Sequence, residues 1–588
     1  MAQGQRLASE GRCLQGTRPH DRRPGCRPRH PLTGRRSITA MDEPTISALS
    51  ADILGLAPWA GKALATRPKP ESLPGMVIPA AIGDVPRPFP EPADEERDEL
   101  VEALEAGLTR LEPHVAVLDS VRSLRRPGAC LVLAGQQPGL LGGPLYNIYK
   151  AVHAIRLAAA LEEAWGVPVK PAFWNHGDDH DIAEVHHLWV RNRNLDLFKV
   201  GLAGMSSGRV PLSRVHFNAK EHRLGALREV LRQNLADNDR ARELIDRFLP
   251  RDGMSFARAF THVLLELFGN RGLIVLEPDW IRPQLSRSLV HVVTSDVADS
   301  LAEGSRRLRE VGVEPAIDPS TAALVFHHED GKRRALRIAP DTPASFRYDG
   351  EPGSRTAAEL AAEIVDAPAD WSAGALLRPL VQDHTLPVAC YVGGWGELAY
   401  HAQLPPLRQA ANIPRTAFVP RLSATLVDSA TARSLDTLGL TVGEVLKARG
   451  RVTVEAAETP KSRVAERLRE IARATKRDLL AERADLSELD RGLATQIKKV
   501  ADQSVAGIEK LAAKADRVAA NSAGRGRRHY RRIETSLFPR EQPQERVQGI
   551  LEALARHGTS WIEFLEAAIE PLPTEHFVLH LPDSEDIP

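Results

Sequence analysis

Residues 131–185 constrain this chain more than any other stretch: LVLAGQQPGLLGGPLYNIYK, a helix-patterned run, then VPVKPAFWNHGDDHDIAEV. An apolar run ends in a glycine-rich loop and re-enters a helix. A second apolar run then breaks directly into histidines and aspartates. Strand, loop, helix, strand, polar cluster is the order in which open α/β sheets build ligand sites at their strand carboxyl ends. The pattern predicts an enzyme with an α/β core.

At 588 residues the chain exceeds one ordinary hydrophobic core. Lys+Arg and Asp+Glu balance at 77 each, which gives no global bias toward nucleic acid or an anionic membrane. The balance conceals residues 1–40, with nine Arg, no Lys and two acids. This Arg/Pro/Gly-rich start is expected to be disordered. Because Met41 opens an ordinary acidic sequence, 1–40 read as an over-extended start, with a basic nucleic-acid-binding tail as the alternative. No window approaches the roughly eighteen apolar residues of a membrane span, and 1–40 lack the apolar core of a signal peptide. The four cysteines form no CxxC pair, and Cys130 and Cys390 sit in apolar strand-like runs. These features predict a cytoplasmic protein.

The organisation reads as α/β: a Rossmann-like parallel-sheet core with two inserted connecting segments and a C-terminal α-helical coiled-coil arm. Residues 41–128 are a wrapping segment, proline-rich at 67–92, and one long amphipathic helix carrying Leu100, Leu104, Leu108, Leu111, Val115 and Leu118. The core spans 129–455, with strands at 130–134, 167–174, 273–277 and 387–392 and insertions near 195–255 and 300–372. Residues 456–588 form the coiled coil and a closing helical segment with a helix over 550–568. Leu486, Leu489, Leu493, Ile497, Val500, Ile508 and Leu511 keep a near-heptad rhythm, an antiparallel hairpin or a dimer contact. Gly524-Arg525-Gly526 is expected to interrupt it.

Three constellations carry chemistry. The loop Gly135-Gln136-Gln137-Pro138-Gly139-Leu140-Leu141-Gly142-Gly143-Pro144 lets backbone amides approach an anion at a helix start. It matches neither the dinucleotide nor the P-loop fingerprint. The cluster His176-Gly177-Asp178-Asp179-His180-Asp181 follows the second strand, and so many ionisable groups are costly to bury unpaired. It serves either acid–base chemistry beside a magnesium-bound nucleotide or a zinc or iron site on His176, His180 and Asp181. Third, Gly393-Gly394-Trp395-Gly396-Glu397 follows the fourth strand and places Glu397 in the first turn of a helix. The basic run around Tyr530 reads as a solvated helix face.

GQQPGLLGGPLYNIYK (135–150), FWNHGDDHDIAEV (173–185), LLRPLVQDHTLPVACYVGGWGELAYHAQL (376–404), VPRLSATLVD (419–428) and LFPREQPQERV (537–547) together resemble the cysteine-adding family of bacillithiol synthesis, BshC. That resemblance implies a ligase joining cysteine to glucosaminyl-malate as an amide, with ATP and magnesium activating the cysteine carboxylate, and a homodimer associated with the coiled coil. It implies Asp179, His180 and Asp181 as catalytic residues. Gly135, Gln136, Gln137, Gly139, Gly143, Tyr146, Lys150, Asp178, Gly393, Gly394, Trp395, Glu397, Tyr400 and Arg421 would bind substrate or nucleotide, with Lys150 and Arg421 facing anionic groups. The chain has Asp178 where the family pattern usually has Glu, shortening that carboxylate's reach by one methylene. A metal-dependent hydrolase or transferase and a nucleotide-binding scaffold are the alternatives.

Overall fold

In the computed structural model the described residues are 43–582, apart from 89–92, 193, 195, 206, 207, 236, 237, 341 and 452–462. The expected extension over 1–40 lies outside them. Five strands form a wholly parallel sheet in the order Ala417–Pro420, Val388–Gly393, Cys130–Gln136, Val169–Asn175, Ile274–Leu276. All four strands expected from the sequence are present. Their near-continuous apolar character follows from burial on both faces: Cys130, Val132 and Ala134 pack into one core, while Leu131 and Leu133 pack into the other. Both thiols, Cys130 and Cys390, are buried.

Topology places the site. From Cys130–Gln136 the chain crosses through the helix Tyr146–Trp165 to Val169–Asn175 on one side. The later strand Val388–Gly393 pairs on the opposite side of Cys130–Gln136. Connections therefore leave these two neighbours in opposite directions, which opens a crevice beyond their carboxyl ends. The glycine-rich loop follows one strand and the GGWGE turn follows the other.

The first insertion holds an antiparallel hairpin, His187–Arg191 with Leu197–Gly201, and the helices Leu224–Asn234, Asp239–Phe248 and Phe256–Phe268. The second contains a five-stranded antiparallel sheet ordered Arg355–Thr356, Thr342–Tyr348, Lys332–Ala339, Val325–Glu329, Trp371–Ala373.

Four expectations change. The single helix expected across Leu100–Leu118 is two, Asp94–Thr109 and Val115–Ser123, because Pro113 cannot continue the first and Glu112 turns left-handed at φ 49°. The helix expected over 550–568 is also two, Ile550–His557 and Ser560–Ala568, separated by Gly558 at φ 71°. The closing segment is not all helix: His576–Leu581 is a strand between Thr45–Leu49 and Ser423–Asp428. Lastly, Gly524 and Gly526 do not interrupt the long helix, which runs unbroken from Arg491 to Leu537. Each interior glycine costs about 1 kcal/mol, which a helix this long and packed at its root tolerates.

The arm is a hairpin in which Arg463–Ala481 packs against Arg491–Leu537, bridged by Lys476–Asp502 at 2.9 Å and Arg469–Glu509 at 3.6 Å. The heptad run breaks at Asp490, whose side chain accepts from the Gly492 and Leu493 amides and caps the long helix. Ala465, Ala472, Ala501 and Ala512 are buried, whereas Leu489, Leu493, Val500 and Leu511 are exposed. Alanines are thus the fully buried apolar residues of the hairpin, Leu486, Ile497 and Ile508 of the expected seam are half-buried, and the other four are exposed. Among the described residues no helix is long and apolar enough to cross a membrane.

Candidate functional site: a three-chambered cleft at the sheet edge

The glycine-rich loop folds back on itself. Gly143 (φ 72°) lies so close to Gly139 that a Cβ on Gly139 would stand 2.6 Å from the Gly143 Cα, and Asn147 Nδ2 donates to Gly142 O at 2.9 Å. Lys150, one turn into the following helix, then ties three elements together. Its ammonium donates to Gly135 O (2.6 Å), Gln136 Oε1 (2.9 Å) and Glu397 Oε2 (2.7 Å). Burial lowers the Lys150 pKa, and Glu397 opposes that shift. Glu397 also accepts from Tyr391 Oη (2.8 Å) and the Gly394 amide (2.7 Å). With its three donors engaged, Lys150 holds the two strand-end loops in register.

Arg421 is similarly occupied, donating to Glu545 Oε1 at 2.6 Å and to Leu422 O at 2.8 Å, with its guanidinium 5.5 Å from the Tyr146 ring centre. Both cations expected to face anionic groups are therefore neutralised by buried carboxylates.

The His/Asp cluster divides. Asp178 turns away and forms a two-pronged pair with Arg282, which also reaches Asp279 at 2.7 Å. Burial would raise the Asp178 pKa, but Arg282 draws it down to about 2. Asp179 faces the cleft: Oδ2 accepts from Gln137 Nε2 at 2.6 Å and Oδ1 from the His180 amide at 2.8 Å. Burial raises its pKa, and Arg378 and the Gln137 bond outweigh that and keep it ionised. Arg333, from the inserted sheet, donates to His180 Nδ1 at 3.1 Å. An arginine only donates, so neutral His180 carries its proton on Nε2. In this tautomer His180 presents a hydrogen-bond donor at Nε2. Asp181 is exposed and lines none of the cavities described below.

His176 lines the cleft with its Nε2 buried and unpartnered; a Cβ on Gly135 would lie 2.7 Å from that atom, so the glycine makes room for the ring. Burial, then the Arg378 and Lys150 charges, holds the imidazole neutral. Among the described residues no three His, Cys, Asp or Glu side chains converge as a metal cage. His176, His180 and Asp181 do not fit a resident zinc or iron ion.

Three contiguous cavities make up the cleft. The central one, of about 300 Å³, is walled by Gln137, His176, Asp179, Arg378, Glu397 and Tyr400. A second, of about 460 Å³, lies along Gly139 and Gly143 and is closed by His187, Trp189, Arg540 and Arg546. The third, of about 230 Å³, lies beyond Gly393 and Gly394 beside Trp395, which packs edge-on against Trp59 at 6.3 Å. Arg378, Arg540, Arg546 and Glu545 carry no motif signal. Arg540, Glu545 and Arg546 fall within the closing LFPREQPQERV and Arg378 within the stretch 376–404, and the resemblance of those two stretches to the family was the one available pointer.

A parallel sheet with a polar crevice at its switch point, two crossing insertions and a helical arm defines a Rossmann-like enzyme core joined to a coiled coil. Two family models match in that order: the bacillithiol biosynthesis BshC N-terminal Rossmann-like domain over 88–422, and the BshC C-terminal coiled-coil domain over 424–581. The chain belongs to the bacillithiol biosynthesis BshC family. Relatives named "Putative cysteine ligase BshC" include those of Geobacillus thermodenitrificans, 31% identical over 83% of this chain and 91% of that protein, and Geobacillus kaustophilus, 30% identical over 83% and 91%. The Koribacter versatilis relative is 29% identical over 82% of this chain and 90% of its own.

Proposed function

We propose that this protein is the cytoplasmic ligase that joins the carboxyl group of L-cysteine to the amine of glucosaminyl-malate, forming bacillithiol with ATP as the activating substrate. The observation that carries this reading is the presence, in one chamber of about 300 Å³, of an ionised carboxylate, Asp179, and a guanidinium, Arg378, that makes no salt bridge to a carboxylate among the described residues. Such a pair fits the ammonium and carboxylate of an amino acid. Family membership supplies the substrate class.

An amide does not form from a carboxylate and an amine in water without activation. A cysteine carboxylate oxygen bonds to the α-phosphorus of ATP, and the bond to the departing pyrophosphate breaks. The amine of glucosaminyl-malate then attacks the acyl carbon, the C–N bond forms, AMP leaves, and the ammonium proton passes to a base. Asp179 is positioned to accept it, since the Nδ1 of His180 is committed to Arg333. Lys150 and Glu397 keep the two loops at a fixed separation, so substrates meet a preorganised edge.

Purified protein incubated with cysteine, ATP and glucosaminyl-malate should yield bacillithiol and AMP, and Asp179→Asn should lower kcat by about 100-fold, the low end for loss of a general base. Absence of bacillithiol, or full activity in Asp179→Asn, overturns the proposal.

A further inference from the structure

Of the residues bordering the three chambers, Arg546 alone lines all of them. It comes from the segment that returns after the coiled-coil arm. That segment is fixed immediately before the arginine. Gln544 accepts from the Leu426 amide at 2.8 Å and donates to Leu426 O and Ser536 O, each at 2.8 Å. Glu545 holds Arg421 at 2.6 Å and accepts from Ser423 Oγ at 3.0 Å. Upstream, Arg540 and Glu541 both adopt left-handed backbone, at φ 55° and 57°. Two consecutive non-glycine residues in that region are costly and persist where surrounding contacts impose them. The bend sends Arg540 across the face of Trp189, 4.0 Å from the ring centre, and into the glycine-loop chamber.

Arg546 itself is exposed to the cleft and, among the described residues, has no carboxylate partner. Its neighbours differ in this respect: Arg421 is paired to Glu545 and Lys150 to Glu397. The segment thus delivers one unneutralised guanidinium to the place where the chambers meet. The largest chamber has glycine backbone on one side and two guanidinium groups on the other, with Glu184 as its carboxylate. That lining suits a polyanion, and a planar guanidinium binds phosphate oxygens in a two-pronged manner.

We propose that Arg546 is the anion-binding residue of this cleft and that it takes phosphoanhydride oxygens of a nucleotide seated along the glycine-rich loop. The assignment rests on the ligase reading for the identity of the nucleotide but not for the existence of the subsite. The carboxylates of the malyl group are the other source of anionic oxygen. Arg378, in the smaller chamber beside Asp179, is the guanidinium placed for carboxylates.

Isothermal titration of the full chain with inorganic pyrophosphate, and separately with L-malate, tests the assignment without turnover. Wild type should bind pyrophosphate, and R546A should bind it at least tenfold more weakly while its malate affinity changes less than twofold. R477A, which removes an exposed arginine on the helical arm outside the cleft, should match wild type with both. R546K keeps the charge but loses the fork and should fall between wild type and R546A; it carries the test if R546A fails to fold. Equal pyrophosphate affinity in wild type and R546A overturns the proposal. So does a larger loss for malate than for pyrophosphate, or no binding of pyrophosphate by wild type. If wild type binds pyrophosphate through Arg546 yet makes no bacillithiol, the ligase reading fails and the subsite stands.

Discussion

Replacing Glu397 with glutamine should expose how much the cleft depends on one buried ion pair. Lys150 is 1% exposed, and its ammonium touches a single charged partner, Glu397, at 2.7 Å. Glutamine preserves the shape and an acceptor for the Gly394 amide, so the change isolates the charge. Removing one member of a buried pair costs about 3–5 kcal/mol, because the other is left uncompensated. The Glu397 side chain keeps 21% of its surface exposed toward the cavity, which argues for the low end, about 3 kcal/mol. Spread over an unfolding entropy near 2 cal/mol/K per residue, that is a fall of about 3 °C in Tm if the body unfolds as one unit. Urea unfolding should show a lower midpoint at unchanged slope. The deficit has a pH signature. Burial sets the folded Lys150 pKa below that of the unfolded chain, and losing Glu397 lowers it further. Between the variant's folded value and the wild type's, folded wild type still holds the Lys150 proton and the folded variant has released it, so the deficit narrows as pH rises through that window. The double variant Lys150→Met/Glu397→Gln leaves no charge stranded and should cost at least about 1 kcal/mol less than the two single changes together. A Glu397→Gln protein within about 0.5 kcal/mol of wild type, or strict additivity in the double variant, refutes the reasoning.

Two further outcomes follow from the same geometry. Asp178 has a folded pKa of about 2 against an unfolded value near 3.9, so its pairing with Arg282 contributes about 2–3 kcal/mol above pH 4, lost as pH falls toward 2; the Asp178→Asn deficit in unfolding free energy should be full at pH 7 and vanish near pH 2, and a deficit that persists at pH 2 contradicts this. On the arm, the exposed Leu489, Leu493, Val500 and Leu511 form the surface we expect a second copy of the chain to cover; sedimentation velocity should show a wild-type dimer and a Leu493→Asp/Leu511→Asp monomer that keeps its helical content by circular dichroism, whereas a monomeric wild type removes the expectation.

The sequence made the sheet and the location of the cleft legible because both depend on local patterns. Uninterrupted apolar runs ended in glycine or in carboxylates, and those endings are where the cavities lie. The partners of individual charges were not legible. Nothing local reveals that Lys150 meets Glu397, 247 residues later, or that Arg421 meets Glu545, so both read as free cations when they are internal counter-charges. Nor does anything local reveal that Arg333, on an inserted strand, donates to His180 and sets its tautomer. The cations left for ligands, Arg378 and Arg546, sit in stretches that carry the family resemblance, but which of their side chains stay without a carboxylate is visible only in the fold. The arm shows the same limit: the heptad rhythm identified helices but not which face of them would be covered within the chain.

The strand Thr45–Leu49 is paired along its whole length with His576–Leu581, near the other end of the chain. During synthesis, at roughly 5–20 residues per second, that first strand has no partner for about half a minute to two minutes. The same late stretch brings in Arg546 and the Glu545 that neutralises Arg421. A chain still on the ribosome can therefore assemble its parallel sheet and glycine-rich loop while the cleft lacks a wall. Competence to bind arrives with the final few dozen residues, and truncation there should leave a folded sheet with an open, chemically idle edge.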